Sequence, residues 1–347
     1  MSFHIVYPRT IPERRPPNHQ PAAPRWTLRW KTPVHTVISD YFAIQARTLP
    51  WDLQQAFIGR IRACLAHQDG PDAHEVMRCI DEAGFINTIV VAYWLDPTKH
   101  ARWKLLSAFG GWFDSVERLS EGMGYWRETI VVPYDRHETI YSEPNYEIGL
   151  ARCAGGSVEP MTTNGYFGAA RDRMPVSAID PLESPLGQTL PARREAASQG
   201  SRLRVQPPLN LVAIRSGQFW VNAQSEQRTD YLDRLQPKLL RGMKYLEDNK
   251  EASGCLSIRN MSNLDSAGDE IAETSTLAYF LSLGHLERWA ESHETHLDIY
   301  RHAIAMNRKF GAKREVTTWH EVFALSGAAS FEYVNCHPST GLLPYCD

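Results

Sequence analysis

None of the six cysteines (Cys64, Cys79, Cys153, Cys255, Cys336 and Cys346) falls in a Cys-x-x-Cys pair, and they are widely spaced. That excludes the signature of a structural zinc knot and argues against a disulfide framework, leaving reduced thiols that mostly fill the core. Long hydrophobic runs are also missing. The longest, Ile86 to Leu95, is about half a membrane span. The N-terminus has Arg9, Arg14, Arg15 and six prolines by Pro24 where a signal peptide would have an apolar segment. There is no dense Lys/Arg run, and 37 basic against 40 acidic side chains give a formal net charge of −3. Such a surface offers no long-range attraction to nucleic acid or anionic lipid. These absences point to a soluble cytoplasmic protein. At 347 residues it is long enough for one pseudo-symmetric domain or two fused ones.

Residues 1–30, rich in Pro and Arg, read as an extended arm lying over the surface or a partner subunit. A first half, 31–177, alternates strands and helices. His35 to Arg47 alternates as a strand, Trp51 to Ala66 and Ala73 to Ala83 read as helices, and Ile86 to Leu95 is a buried strand. Thr98 to Phe113 reads as a helix, and Tyr125 to Pro133 is a strand rich in Thr, Ile and Val. Residues 178–208, dense in Pro, Ser, Gly and Arg, form a connector loop. The second half, 209–347, repeats the plan with a short strand Asn210 to Ile214, a long helix Arg228 to Asn249, and strands Gly254 to Met261 and Thr274 to Leu281. A helix over 285–310 and strands 315–325 and 331–335 close the chain.

Ala92-Tyr93-Trp94-Leu95 and Ala278-Tyr279-Phe280-Leu281 are each followed at the same offset by Arg-Trp, Arg102-Trp103 and Arg288-Trp289. With the matching element order, this implies a duplicated β-α-β type unit. The expected fold is therefore α+β: two ferredoxin-like units of the dimeric α/β-barrel type, with antiparallel sheets carrying helices on one face.

Chemistry concentrates near the C-terminus. On a helix at 100° per residue, Leu286, Trp289, His293, His296, Tyr300, Ala303 and Ile304 share an arc of about 100°, so two imidazoles would point inward. The alternation Val316, Thr318, His320, Val322, Ala324 sets a third on the apolar face of a strand. His302, off the arc, is expected to face solvent. Facing histidines in an apolar pocket suggest a metal centre. The zincin signature needs His-Glu-x-x-His, whereas this chain has His-Glu-Thr-His. Haem asks less, one axial imidazole on a rigid element within an apolar wall, and periodicity leaves His293 and His296 equally eligible. Ser216 is read as ending a strand at a Ser-Gly turn, from which a hydroxyl can project into a pocket.

The run Gly-His-Leu-Glu-Arg-Trp-Ala-Glu-Ser-His-Glu-Thr-His-Leu-Asp-Ile-Tyr at 284–300, His-Glu-Val at 320–322 and Phe-Glu-Tyr-Val-Asn-Cys-His-Pro-Ser-Thr-Gly-Leu-Leu at 331–343 resemble the haem-containing aldoxime dehydratases, which turn aldoximes into nitriles. Asn87 to Trp94, His137 to Tyr141, Asn164 to Pro175 and Asn210 to Gly217 extend the likeness over most of the chain. The resemblance implies haem b (protohaem IX), ferrous when active and seated in the C-terminal half, with His296 as the iron's axial ligand. It implies His320 as the acid/base on the opposite side, with Ser216, Arg173 and Glu138 in the same pocket. Ser216 would fix the oxime oxygen, while Glu138 and Arg173 would act oppositely on the charged form of His320. It also implies a small-molecule aldoxime substrate and a homodimer. The rival readings are a haem peroxidase-like oxidoreductase, a non-catalytic haem sensor or carrier and, least favoured, a zinc hydrolase.

Overall fold

A computed structural model describes residues 5–155 and 158–345. Among the described residues thirteen strands form one sheet. In chain order they are β1 (Arg25–Leu28), β2 (Thr36–Ala46), β3 (Ala73–Ile80), β4 (Ile86–Trp94), β5 (Gly124–Pro133), β6 (His137–Tyr141), β7 (Val158–Met161), β8 (Arg202–Val205), β9 (Val212–Phe219), β10 (Cys255–Leu264), β11 (Glu270–Phe280), β12 (Thr317–Ala324) and β13 (Ser330–Val334). Their order across the sheet is β7-β1-β6-β12-β9-β11-β10-β3-β4-β2-β5-β13-β8.

The eight central strands fall into two sets with the same internal order. In the first half the neighbours run β5-β2-β4-β3, and in the second β12-β9-β11-β10. Each set reads fourth, first, third, second in chain order. The sets meet where β3 pairs antiparallel with β10, Arg78 opposite Ser262. Helices α1 (Trp51–Leu65), α2 (Pro97–Leu106) and α3 (Ala108–Phe113) lie between strands of the first half. A short helix, α4 (Ala169–Arg173), lies between the halves. Helices α5 (Gln236–Asp248), α6 (Leu283–Ser292) and α7 (Glu294–Phe310) belong to the second half.

Alternating side chains separate two kinds of core. On one sheet face Phe57, Ile61, Trp103 and Phe109 from the helices pack on Phe42, Val90 and Trp94. Leu246, Leu286 and Trp289 likewise pack on Val212, Ala278, Phe280 and Val322. The opposite faces of both halves share one inner core containing Tyr41, Tyr93, Trp126, Tyr141, Tyr279, Trp319 and Tyr333. The Ala-Tyr-aromatic-Leu repeat occupies equivalent places, ending β4 and β11. Trp94 and Trp103 stand 5.0 Å apart, Phe280 and Trp289 6.5 Å apart, and Tyr93 and Tyr279 both turn into the inner core.

Three helices expected from sequence differ here. The stretch Ala73 to Ala83 is the strand β3. Its inner face buries the charged Glu75 beside Met77 and Cys79, while its outer face buries Val76 and exposes Ile80, so the polar and apolar positions do not alternate as they do in an ordinary half-exposed strand. The single helix over 285–310 is broken at His293, whose backbone is extended (φ −87°, ψ 131°). His293 caps α7 by accepting from the Thr295 amide. Thr98 to Phe113 is similarly interrupted at Ser107, the cap of α3. Connector 178–208 carries one strand, β8, at the sheet edge. Cys64, Cys79, Cys153, Cys255 and Cys336 are free thiols, all but Cys153 buried, while Cys346 lies outside the described residues.

Candidate active site

A cavity of about 410 Å³ lies between the outer sheet face of the second half and helix α7. Ile214 and Ser216 of β9 and Thr318, His320 and Val322 of β12 form its floor. His296, Ile299, Tyr300, Ala303 and Ile304 of α7 form its roof, with Leu235, Leu239 and Met243 closing one side. Alternation on paired strands explains the floor, because Ser216 stands directly opposite His320 in the ladder. Directly opposed Cβ atoms sit about 4.5–5.5 Å apart, so hydroxyl and imidazole can serve one bound molecule.

The break at His293 separates two imidazoles that periodicity had placed together. His293 is stacked on Tyr245, ring centroids 3.6 Å apart, and does not line the cavity. His296 does. Its Nδ1 lies 2.7 Å from the Ala290 carbonyl, which can only accept, so Nδ1 carries the proton and Nε2 keeps a lone pair. Burial lowers the His296 pKa against the raising effect of the Ala290 bond, which favours the neutral ring. His302, expected to face solvent, is largely buried in a pair with Asp230, Nε2 to Oδ2 2.8 Å.

His320 is 27 % exposed, and both its polar neighbours address one ring atom. Glu138 Oε1 lies 2.9 Å and Arg173 Nη2 3.1 Å from Nε2, leaving Nδ1 without a hydrogen-bond partner among the described residues. Arg173 Nε donates to Glu138 Oε2 at 2.6 Å and Nη1 donates to the Thr163 carbonyl at 2.9 Å. Burial would raise the Glu138 pKa, but Arg173 and His320 outweigh it and hold the carboxyl down at about 2. Glu138 therefore stays ionised. Arg173, His320 and Ser216 touch the cavity, whereas Glu138 stands behind the first two.

Each charge of Arg171-Asp172-Arg173 on α4 has a partner. Arg171 pairs with Glu287 of α6 at 2.7 Å, and Asp172 accepts from the Arg14 amide and the Tyr166 hydroxyl. The arm thus lies over this chain's own cavity, where Ala22, Ala23 and Arg25 join the wall. Gly168 starts α4 with φ +92°, and a Cβ there would come within 2.6 Å of Arg14.

Ser216 and Gly217 sit inside β9 and do not form a turn. A Cβ on Gly217 would stand 2.6 Å from the Trp319 indole nitrogen, so the glycine lets that ring lie flat against the strand. Gly217→Ala is expected to destabilise the fold by about 1–3 kcal/mol through overpacking. A lower thermal midpoint together with reduced turnover, as Ser216 shifts, would show it.

Sequence reasoning missed a polar group directly behind this floor. Arg215 pairs with Glu75 at 2.7 Å and donates to the Tyr93 hydroxyl at 2.8 Å, and Tyr93 in turn donates to Glu321. Burial raises the Glu321 pKa to about 7 against the opposing pull of Arg215. These residues face the inner core, and an alternating pattern assigns such charges to solvent.

The sequence profile of the haem-containing dehydratase family matches residues 40–342. The chain is 34% identical over 343 residues to the aliphatic aldoxime dehydratase of Pseudomonas chlororaphis, covering 98% of this chain and 96% of that relative. It is 34% identical over 335 residues to the phenylacetaldoxime dehydratase of Bacillus sp. strain OxB-1, covering 95% and 93%. Its fold superimposes with a TM-score of 0.91 on a crystal structure of an aldoxime dehydratase in complex with butyraldoxime, at 32% identity and covering 100% and 96% of the two chains.

Proposed function

This chain belongs to the haem-containing dehydratase family, and on that premise we propose that it dehydrates aldoximes, R–CH=N–OH, to nitriles and water with haem as its cofactor. The observation that carries the reading is one cavity with a neutral imidazole entering from a helix and a second imidazole, its Nδ1 free, entering from the sheet. The residues fit haem. The porphyrin needs one protein imidazole, and Nε2 of His296 offers its lone pair to an apolar space. Among the described residues no group of three His, Cys, Asp or Glu side chains is placed to hold a bare metal ion. His296 would hold the iron of haem b, ferrous in the working state. When bound, haem supplies an open iron position for the oxime nitrogen and electron density that weakens the N–O bond.

The protein's own groups handle the protons. His320 delivers a proton from Nδ1 to the departing hydroxyl, making water the leaving group, and then takes the proton from the aldoxime carbon. One proton is given and one returned, so the imidazole ends as it began. General acid/base help of this kind is worth roughly 10²–10⁴-fold. Glu138 and Arg173 fix the ring through Nε2, which makes Glu138 a positioning residue. The Ser216 hydroxyl, beside His320 in the ladder, holds the oxime oxygen, and the apolar walls exclude water. Ser216→Ala should lower kcat/KM by about 10–100-fold, the loss of one hydrogen bond to a developing charge of roughly 1.5–3 kcal/mol, with haem content unchanged. An unchanged rate would remove Ser216 from the site.

The strand order shared by the two halves supports reading each as a ferredoxin-like unit made by duplication, split at the connector 178–208. A homodimer in the cytoplasm completes the proposal. Among the described residues no helix is long and apolar enough to cross a membrane. Titrating the purified protein with haemin is the test. One equivalent per chain with a Soret band is expected, and a folded protein that stays colourless overturns the reading.

A further inference from the structure

The end of the cavity farthest from His296 holds two arginines that the dehydration chemistry does not use. Arg25, from β1 of the arm, and Arg314, from the turn after α7, both line the wall. Arg314 donates to Asn307 Oδ1 at 2.5 Å, and Asn307 lies eleven residues beyond His296 on the same helix, about 16 Å along its axis. On the floor, Thr318 separates this end from His320 by two strand positions, about 7 Å. The cavity wall therefore carries the His296 imidazole and, well removed along α7, two guanidiniums.

Neither guanidinium is neutralised. Arg314 is only 8 % exposed, yet its hydrogen bond goes to an amide, and that of Arg25 goes to the Pro24 carbonyl at 2.7 Å. Neither forms an ion pair with a described residue. Burial and the neighbouring Arg25 push the Arg314 pKa down to about 10, opposed by Glu143, and burial lowers that of Arg25. Glu143 attracts both from beyond contact, and its own pKa is raised by burial. Two like charges at a buried wall with one distant counterion are costly unless an anion completes the site. The planar guanidinium fork matches a carboxylate in particular.

We propose that Arg25 and Arg314 form a carboxylate-binding end of the cavity, which receives either a haem propionate or the terminal carboxylate of an acidic aldoxime. The second source rests on the aldoxime reading above, whereas the first needs only haem binding.

Two comparisons of acid against ester test it, in the wild type and in Arg25→Gln/Arg314→Gln. Apoprotein is titrated with haemin and with haemin dimethyl ester, followed by the Soret band. Holoenzyme is assayed with an ω-carboxy aliphatic aldoxime and with its methyl ester. In at least one comparison the wild type should prefer the acid by about 10-fold or more, the magnitude of a charge-assisted hydrogen bond, and the double variant should show a ratio near one. Preference in the haemin arm identifies the propionate, and preference in the aldoxime arm identifies the substrate carboxylate. Equal treatment of acid and ester by the wild type in both arms overturns the proposal, as does a preference that survives in the variant. Should the double variant not fold, Arg25→Gln alone and the wild-type ratios decide. A neutral aldoxime turned over normally would leave the dehydratase reading standing after either failure.

Discussion

His296→Ala should purify without haem and form no nitrile, whereas His293→Ala should keep both cofactor and turnover. The two residues lie three positions apart and in one unbroken helix would be interchangeable. The chain breaks at His293, whose ring is taken up by capping α7 and stacking on Tyr245. His296 alone of the pair enters the cavity, its Nδ1 fixed on the Ala290 carbonyl and its Nε2 free to bind metal. Removing the axial imidazole takes away the donor that α7 presents to the iron, and His293, three residues before it, is held on Tyr245 outside the cavity. Haem content by pyridine haemochrome checks both variants, and haem retained by His296→Ala together with its loss from His293→Ala would reassign the ligand.

His320→Ala is expected to give the opposite signature, with full haem content and turnover reduced by about 10²–10⁴-fold. Its side chain reaches the cavity from the sheet, across from the helix that carries His296. The truncation also leaves Glu138 and Arg173 facing each other at 2.6 Å, a pair that remains neutral as a unit, so the fold should survive. Stopped-flow mixing of ferrous variant with aldoxime should still show a spectral change on binding but no nitrile. A rate within threefold of wild type would assign the proton transfer elsewhere.

Much of this site was legible in the residues because strand alternation is a rigid rule. Thr318, His320 and Val322 face the cavity as a period of two requires. The helix was less legible, since a period of 3.6 holds only while the helix continues, and a histidine able to cap a new helix reset the phase at 293. Ser216 was placed at a turn because Ser-Gly is common there. The strand instead continues, since Gly217 makes room for Trp319. His302 reads as exposed by its phase but meets Asp230 from a separate helical segment, a long-range pairing no local pattern carries. The same holds for Arg215, Glu75 and Glu321, whose partners, Tyr93 among them, come from both halves of the chain. The arm's role was likewise hidden, because its Pro and Arg composition is that of a loose segment. Its amide at Arg14 and its strand β1 nevertheless bind it to the cavity wall.

The most direct measurement is nitrile formation by the haem-loaded protein, reduced and kept free of oxygen, incubated with butyraldoxime and followed by gas chromatography. The account predicts butyronitrile accumulating over many turnovers and vanishing when the haem is left out. Stoichiometric ferrous haem bound in a folded protein, with the aldoxime recovered unchanged, would contradict it.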